Sequence, residues 1–197
     1  MPTPDANAHE RAALAASLRD VGVIQYGRFA TPQGVFQPVQ ITLGYLPSYP
    51  SLLVRLAHAL ADGLPAEGVT RLLPMPLCLP LGVVIAIHRD LPMVYPNPEN
   101  LTQIEGAYDY NVPTVLLSGV LTDGAAETAL IQQVRRDGLE VRAVSAVFRL
   151  GRPLGIPGAE GDITPRALFT PEDIIAATPT ERMGSAVRAW LEGGEPF

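Results

Sequence analysis

The chain has 197 residues, of which 47% are hydrophobic, and a formal net charge of −6. This length and apolar content predict one domain over residues 1–197, with residues 1–8 as a disordered tail. All 14 basic residues are arginines, which excludes any mechanism that needs a lysine of this chain. Because acidic residues outnumber basic ones and no basic stripe is evident, we expect neither nucleic acid nor an anionic membrane as a partner.

Cysteine content and hydropathy indicate the cellular setting. The single Cys78 cannot form an internal disulfide and lies in an apolar run, as a small hydrophobic residue would. Residues 1–7 lack the basic start and apolar stretch of a signal peptide. The longest apolar run, residues 77–87, falls short of the roughly 20 residues that cross a bilayer. We therefore expect a cytoplasmic protein.

The predicted elements alternate between helices and short apolar strands. Helices are predicted over residues 9–21, 52–60, 79–88, 125–136, a short segment after Thr170, and 180–191. Strands are predicted over residues 24–29, 35–43, 71–73, 91–95, 114–117 and 141–148, the first two joined in a hairpin by a turn at 31–34. This order is typical of βαβ units. We predict an α/β fold with a mostly parallel five-stranded sheet flanked by helices.

Ligands of parallel sheets bind at the carboxyl ends of the strands. The predicted strand at 114–117 runs into a loop of small residues, which includes Ser118 and Gly124, and then into a helix. Such a loop directs backbone N–H groups at a phosphate, although Thr-Asp-Gly at a helix start is also common as a plain cap. Tyr95, with Tyr108 and Tyr110, would either line a cleft there or serve as core or dimer contacts.

Other polar residues give weaker signals. His9, His58 and His88 each stand alone on a predicted helix, so we predict no metal site. Residues 96–112 show no periodicity and form either a functional loop or a small excursion. Ordinary solvation is favoured over an acid pair for the acidic residues there, which are Glu99, Glu105 and Asp109. Ser118 has no evident base and is a poor candidate nucleophile.

Three segments resemble the type I phosphoribosyltransferases, and within them the orotate phosphoribosyltransferases, over residues 14–175. Residues 22–29, with Gly34 and Pro38, look like the family's N-terminal hairpin. Thr122-x-Gly124 is similar to its phosphoribosyl pyrophosphate loop, and residues 168–175 to its C-terminal Leu-Thr-x-x-Asp-Leu segment. The resemblance implies a homodimer, a role in pyrimidine metabolism, and a small hood over the strand ends formed by the N-terminal hairpin and the C-terminal segment.

The residues that carry the family's chemistry are replaced. Where the family keeps two adjacent acids for the ribose hydroxyls and magnesium, this chain has Ser118-Gly119. The Gly-rich pyrophosphate loop corresponds to residues 74–80, which include three prolines without an N–H. A hairpin lysine is replaced by Pro32, and the lysine-rich mobile loop corresponds to residues 96–100, which contain no base. Nothing in these segments neutralises charge on a departing pyrophosphate.

These replacements predict a family member that has lost catalysis and retains a binding or scaffolding role, for a small metabolite, a nucleotide or a protein partner. No cofactor is expected. The alternative is an active phosphoribosyltransferase of nucleotide biosynthesis or salvage, which would use magnesium at an altered site. A nucleic-acid-binding regulator is a third class, disfavoured by charge.

The predicted ligand-binding residues combine the phosphate loop with two aromatic residues. They are Ser118, Thr122, Asp123, Gly124, Ala125, Thr128, Phe29 and Tyr95. We further expect Asp123 to turn its own carboxylate onto the N–H groups of the loop, as a cap of the following helix.

Overall fold

The computed structural model describes residues 4–30, 34–65, 67–100, 103–151, 155–158 and 161–193. In chain order the helices are α1 (Pro4–Asp20), α2 (Pro50–Asp62), α3 (Leu79–Arg89), α4 (Ala125–Arg136), α5 (Pro171–Ala176) and α6 (Glu181–Leu191). The strands are β1 (Ile24–Ala30), β2 (Phe36–Ile41), β3 (Arg71–Pro74), β4 (Tyr95–Pro96), β5 (Ile104–Glu105), β6 (Val112–Leu121), β7 (Leu139–Arg149), β8 (Ile156–Pro157), β9 (Asp162–Ile163) and β10 (Arg166–Phe169). Short 3₁₀ helices cover Leu43–Ser48 and Pro76–Cys78.

The described residues divide into two compact units. The first comprises residues up to Leu52 together with those from Phe169 onward. In it β1 and β2 form the predicted antiparallel hairpin, with Tyr26 opposite Val39. The Tyr26 hydroxyl donates to the Ile174 carbonyl oxygen at 2.6 Å, which ties the hairpin to α5. The N-terminal hairpin and the C-terminal segment therefore belong to one unit, while Pro32 and the turn residues 31–33 lie outside the described residues.

The second unit, Leu53–Leu168, contains the sheet. Its strand order is β10-β7-β6-β3, and β6 is parallel to both β3 and β7. Six consecutive residues of β6 are buried, which is expected of a strand covered on both faces. Buried apolar residues of β6, β7 and α4, among them Leu116, Val144 and Ile131, form a continuous core cluster. The predicted α/β class with a helix-flanked parallel sheet is confirmed.

Within the part of the chain that the structure describes, the sheet has four strands rather than the predicted five. In the segment predicted as a strand at 91–95, Met93 makes one isolated parallel bridge to Leu72. The following residues leave the sheet, because Tyr95 pairs instead with Glu105 in a two-stranded antiparallel hairpin, β4 with β5. The short strand β10, which the sequence analysis did not predict, provides the fourth strand beside β7.

The first helix begins earlier than its periodicity predicted. It starts at Pro4, so residues 4–8 are helical, and residues 1–3 lie outside the described part. Proline is favoured in the first turn because its missing N–H would have no partner within the helix there. Among the described residues, no helix is long and apolar enough to cross a membrane.

Candidate functional site

The phosphate-like loop lies at the carboxyl end of β6. The strand ends at Leu121, and α4 begins at Ala125 after a three-residue loop. Gly124 is the N-cap and adopts the left-handed conformation, with φ of 72°, which a residue with a side chain adopts only at a cost. Thr122 and Asp123 are exposed. The loop therefore opens a helix N-terminus at the edge where ligands of parallel sheets bind.

Asp123 forms an Asx turn with the first residue of α4. Its Oδ1 accepts a hydrogen bond from the Ala125 N–H at 3.0 Å. The first N–H groups of a helix have no partner within the helix, and an anion at this position would use them. The hydrogen bond that the sequence predicts between the Asp123 carboxylate and the loop N–H groups is present at Ala125, but it is an Asx turn, since the N-cap of α4 is Gly124 and not Asp123.

Arg149 was not singled out by the sequence analysis. It ends β7 opposite Leu121, the residue that precedes the loop. Its Nε is buried, and the structure shows no hydrogen-bond partner for it among the described residues. The backbones meet closely here, since a Cβ on Gly151 would lie 2.0 Å from the Thr122 carbonyl oxygen. Arg149 is therefore paired with the residue that precedes the loop, and its Nε has no partner among the described residues. Its position at a strand end was the signal that the sequence offered.

Ser118 forms a buried contact within the fold. Its Oγ donates to Glu127 Oε1 at 2.5 Å, and the two residues are 1% and 4% exposed. Glu127 lies in the first turn of α4, a favourable position for a carboxylate near a helix dipole. This bond fastens the helix to β6. The sequence predicted Ser118 in the ligand site but gave no signal for Glu127, because the pairing across nine residues depends on how α4 packs on the strand.

The segment that corresponds to the family's pyrophosphate loop is compact and apolar. Pro74 ends β3, Met75 N donates to the Leu117 carbonyl oxygen, and a 3₁₀ turn leads into α3. Cys78 is fully buried in this turn. Burial, and secondly the charge of Glu127, raise the pKa of the Cys78 thiol to about 12. Cys78 therefore remains a protonated packing residue, as its apolar surroundings predicted.

Known proteins with similar sequences are orotate phosphoribosyltransferases. No family model matches the chain. The orotate phosphoribosyltransferase of Chlamydia caviae is 25% identical over 171 residues, which cover 82% of this chain and 82% of that protein. The enzyme of the same name from Natronomonas pharaonis is 26% identical over 169 residues, covering 83% of this chain and 96% of that protein.

Solved structures agree with this fold. The orotate phosphoribosyltransferase of Aeropyrum pernix superposes with a TM-score of 0.69 at 20% identity, over 82% of this chain and 96% of that one. UMP synthase of Leishmania donovani gives a TM-score of 0.81 at 24% identity over 92% of this chain, which spans 42% of that longer protein.

The chain has the fold of the type I phosphoribosyltransferases. The resemblance to the orotate phosphoribosyltransferases that the three motifs indicated is confirmed.

The remaining predicted site residues are dispersed. Thr128 is half-buried one turn into α4, where its N–H donates to the Gly124 carbonyl oxygen at 2.9 Å. Tyr95 is half-buried in β4. Phe29 belongs to the first unit, where its ring lies against Gly27. The structure thus groups Thr122, Asp123, Gly124, Ala125 and Thr128 in one loop and helix start, next to Arg149.

The tyrosines of the long connection have separate environments. Tyr108 packs against the core cluster of the second unit, as the core interpretation predicted. Tyr110 is 82% exposed and covers Gly138, which has a φ of 93°. The Asn97 side-chain amide donates to Glu105 Oε1 at 2.7 Å across the β4–β5 hairpin, so Glu105 has a protein partner and is not simply solvated.

Magnesium does not fit the residues at this site. Ser118 and Gly119 stand at the position of the family's acid pair. The Ser118 hydroxyl donates a hydrogen bond to Glu127, and Gly119 has no side chain. Within the described residues there is no group of three or more histidine, cysteine or acidic side chains arranged around a metal position. The donor set of this chain therefore offers hard cations no carboxylate ligands where the fold family holds them.

Proposed function

We propose that this chain is an orotate phosphoribosyltransferase-like protein that binds a small phosphorylated metabolite, such as a ribose phosphate or a nucleotide, without catalysing phosphoribosyl transfer. The observation that carries the binding role is the buried Nε of Arg149, which has no hydrogen-bond partner among the described residues and belongs to the residue paired with Leu121 just before the loop. The relatives named orotate phosphoribosyltransferase support the class of ligand.

Loss of catalysis is supported by what surrounds the loop. The leaving pyrophosphate would require donors on the segment after β3, and that segment has Pro74, Met75 and Pro76 followed by apolar residues. Removing a single charge-stabilising donor costs on the order of 3 kcal/mol of transition-state stabilisation, and here several are missing together. Losses within one site do not add, yet a partial sum already removes most of a useful rate.

Retained binding is supported by Arg149 and by the geometry of the helix start. The buried guanidinium nitrogen needs an acceptor, because leaving a buried donor without one costs about 1 to 3 kcal/mol. A phosphate that bonds to Arg149 and to the first N–H groups of α4 would supply it. We also propose that the protein acts as a cytoplasmic homodimer, since a charge-free apolar helix surface is exposed in the second unit.

Calorimetric titration with ribose 5-phosphate tests the binding role. We expect saturable binding by the native chain and at least a tenfold weaker affinity for Arg149→Gln, equivalent to about 1.4 kcal/mol. The matched control is Arg135→Gln, which removes the same charge from the exposed end of α4 and should leave the affinity unchanged. No binding by the native chain at millimolar ligand, or equal affinity of Arg149→Gln, would refute the proposed site.

A further inference from the structure

A cleft of about 420 Å³ opens along the first half of β7, in the second unit. It is lined by residues 140–145 of that strand and by residues 161–164 with Arg166. Gly63 and Pro65, which follow α2, complete the lining. A volume in this range is typical of pockets that hold a small molecule.

The cleft is separate from the phosphate-like loop. That loop follows the carboxyl end of β6, and Arg149 ends β7 beside it. The part of β7 that lines the cleft stops at Ser145, four residues before Arg149. A strand rises about 3.3 Å per residue, so roughly 13 Å of strand separate the two positions. A ligand in the cleft would therefore not use the residues of the candidate phosphate site.

The connection that follows β7 explains why this part of the strand is open. Residues 150–165 join β7 to β10, and in their described part the only regular elements are the two-residue strands β8 and β9. The hairpin of these strands places Asp162 and Ile163 at the cleft. A helix in such a connection would cover the strand, whereas this short hairpin leaves space beside it.

Four charged residues line the cleft, two of each sign. Glu140 and Arg142 form an ion pair, with 3.0 Å between Arg142 Nη2 and Glu140 Oε2. Asp162 and Arg166 are both exposed, and neither side chain has a hydrogen-bond or ion-pair partner among the described residues. The cleft therefore presents a carboxylate and a guanidinium that are not paired with each other.

The lining also has an apolar part, which narrows the class of ligand. Ala143, Ile163 and Pro65 are half-buried there. A phosphate dianion suits this lining poorly, because the carboxylates of Glu140 and Asp162 would repel it. An uncharged apolar molecule would displace water from the charged groups without replacing the lost hydrogen bonds. The lining favours a molecule that carries both charges and an apolar group.

We propose that the cleft binds a small zwitterion of the α-amino acid class, whose carboxylate pairs with Arg166 and whose ammonium group pairs with Asp162. The side chain of this ligand lies against Ala143 and Ile163. A guanidinium can form two parallel hydrogen bonds with a carboxylate, and an ammonium group has three N–H donors for carboxylate acceptors. A ligand without net charge also suits a lining whose four charges cancel.

NMR titration of the ¹⁵N-labelled full chain with L-leucine tests the proposal. We expect saturable amide shifts that are largest at residues 140–145 and 161–166, with a dissociation constant at or below about 1 mM. L-Leucinamide lacks the carboxylate and 4-methylpentanoate lacks the ammonium group, so each should bind at least about tenfold more weakly. Equal affinity for either analogue would overturn the ligand class. No saturable shift with L-leucine or L-phenylalanine up to about 10 mM would overturn the site.

Two variants test the proposed contacts. Arg166→Gln and Asp162→Asn each remove one charge at an exposed position, and each should weaken L-leucine binding at least about tenfold. The matched controls, Arg135→Gln on α4 and Asp109→Asn before β6, make the same charge changes outside the cleft and should bind as the native chain does. Far-UV circular dichroism establishes that each variant is folded. Native affinity in both cleft variants would overturn the contacts, and it would leave the ribose 5-phosphate proposal, which concerns the other end of β7, unaffected.

Discussion

A single carboxylate distinguishes the phosphate-like loop of this chain from an open anion site. The Asp123 carboxylate accepts a hydrogen bond from the Ala125 N–H. This bond stabilises the start of α4. The same bond withdraws a donor from any external phosphate and adds a like charge beside it. The side chain therefore favours the folded helix at the expense of ligand affinity.

Asp123→Thr should raise the affinity for ribose 5-phosphate about tenfold, because it frees the Ala125 N–H and removes one negative charge. Calorimetric titration measures the change. Asp109→Thr makes the same charge change at an exposed residue of the connection before β6 and should leave the affinity as it is. If Asp123→Thr shows no gain, the loop has lost its anion geometry for reasons other than this carboxylate.

The buried contact between Ser118 and Glu127 should contribute to stability. Ser118→Ala leaves a 4% exposed carboxylate without its donor, and we expect a loss of about 1 to 3 kcal/mol in the free energy of unfolding. Urea denaturation provides the measurement. Ser145→Ala is the matched control, since Ser145 is a serine of similar burial, 6% exposed, on the neighbouring strand β7. Equal, small losses in both variants would show that the Ser118 bond contributes little.

At the scale of elements, Tyr26 connects the hairpin to α5. Its hydroxyl bonds to the Ile174 carbonyl oxygen, and burial raises its pKa from 10.0 to about 12 despite the opposing charge of Arg19. A raised pKa means that the protonated form is favoured in the folded state. The associated stability is fully present below pH 10 and is lost as the pH rises through about 12.

Tyr26→Phe should therefore be less stable than the native protein by about 1 kcal/mol at pH 8, because the bond to Ile174 is missing. The difference should shrink as the pH rises from about 10 toward 12, since only the native chain has this hydroxyl to ionise. Urea midpoints at several pH values check the trend. A difference that stays constant over this range would contradict the raised pKa.

The elements with clear local signals were predictable from the sequence. The stretch from β6 through α4 combines an apolar run with small loop residues and a periodic helix, and its boundaries at Ala125 and Arg136 match the prediction. The segment at 91–95 was mispredicted because β-like composition does not specify a partner. Met93 forms one bridge to Leu72, and Tyr95 pairs with Glu105 instead.

The strand β10 was not predictable from its own residues. Its sequence lacks a strong alternation of apolar and polar residues, and it forms a strand because it pairs with β7.

The candidate site was only partly predictable for the same reason. Thr122 and Gly124 were recognisable because a phosphate-like loop is contiguous in sequence. The inward direction of Ser118, the unpartnered Nε of Arg149 and the stack of His58 on His88 are products of packing between distant segments. The spacing of residues along the chain does not indicate which distant residues will be in contact.

At the scale of the whole molecule, the type I phosphoribosyltransferase fold is present, and Ser118-Gly119 stand where the resemblance places the family's two acids. A fold of this kind supports many functions, and function is decided by the residues at the site. The core cluster, the parallel register and the helix start are present, while the segments that the resemblance matches to the family's lysines contain no basic residue. Our proposal of binding without turnover rests on this combination.

Turnover of phosphoribosyl pyrophosphate decides between binding without catalysis and an active enzyme. The native chain is incubated with that substrate, magnesium and orotate or another nucleobase, and released pyrophosphate is followed over many equivalents of protein. We predict no release above the background without protein, because the charge-stabilising donors are absent. Sustained release that Thr122→Ala or Asp123→Ala abolishes would contradict the account and identify the chain as an active phosphoribosyltransferase.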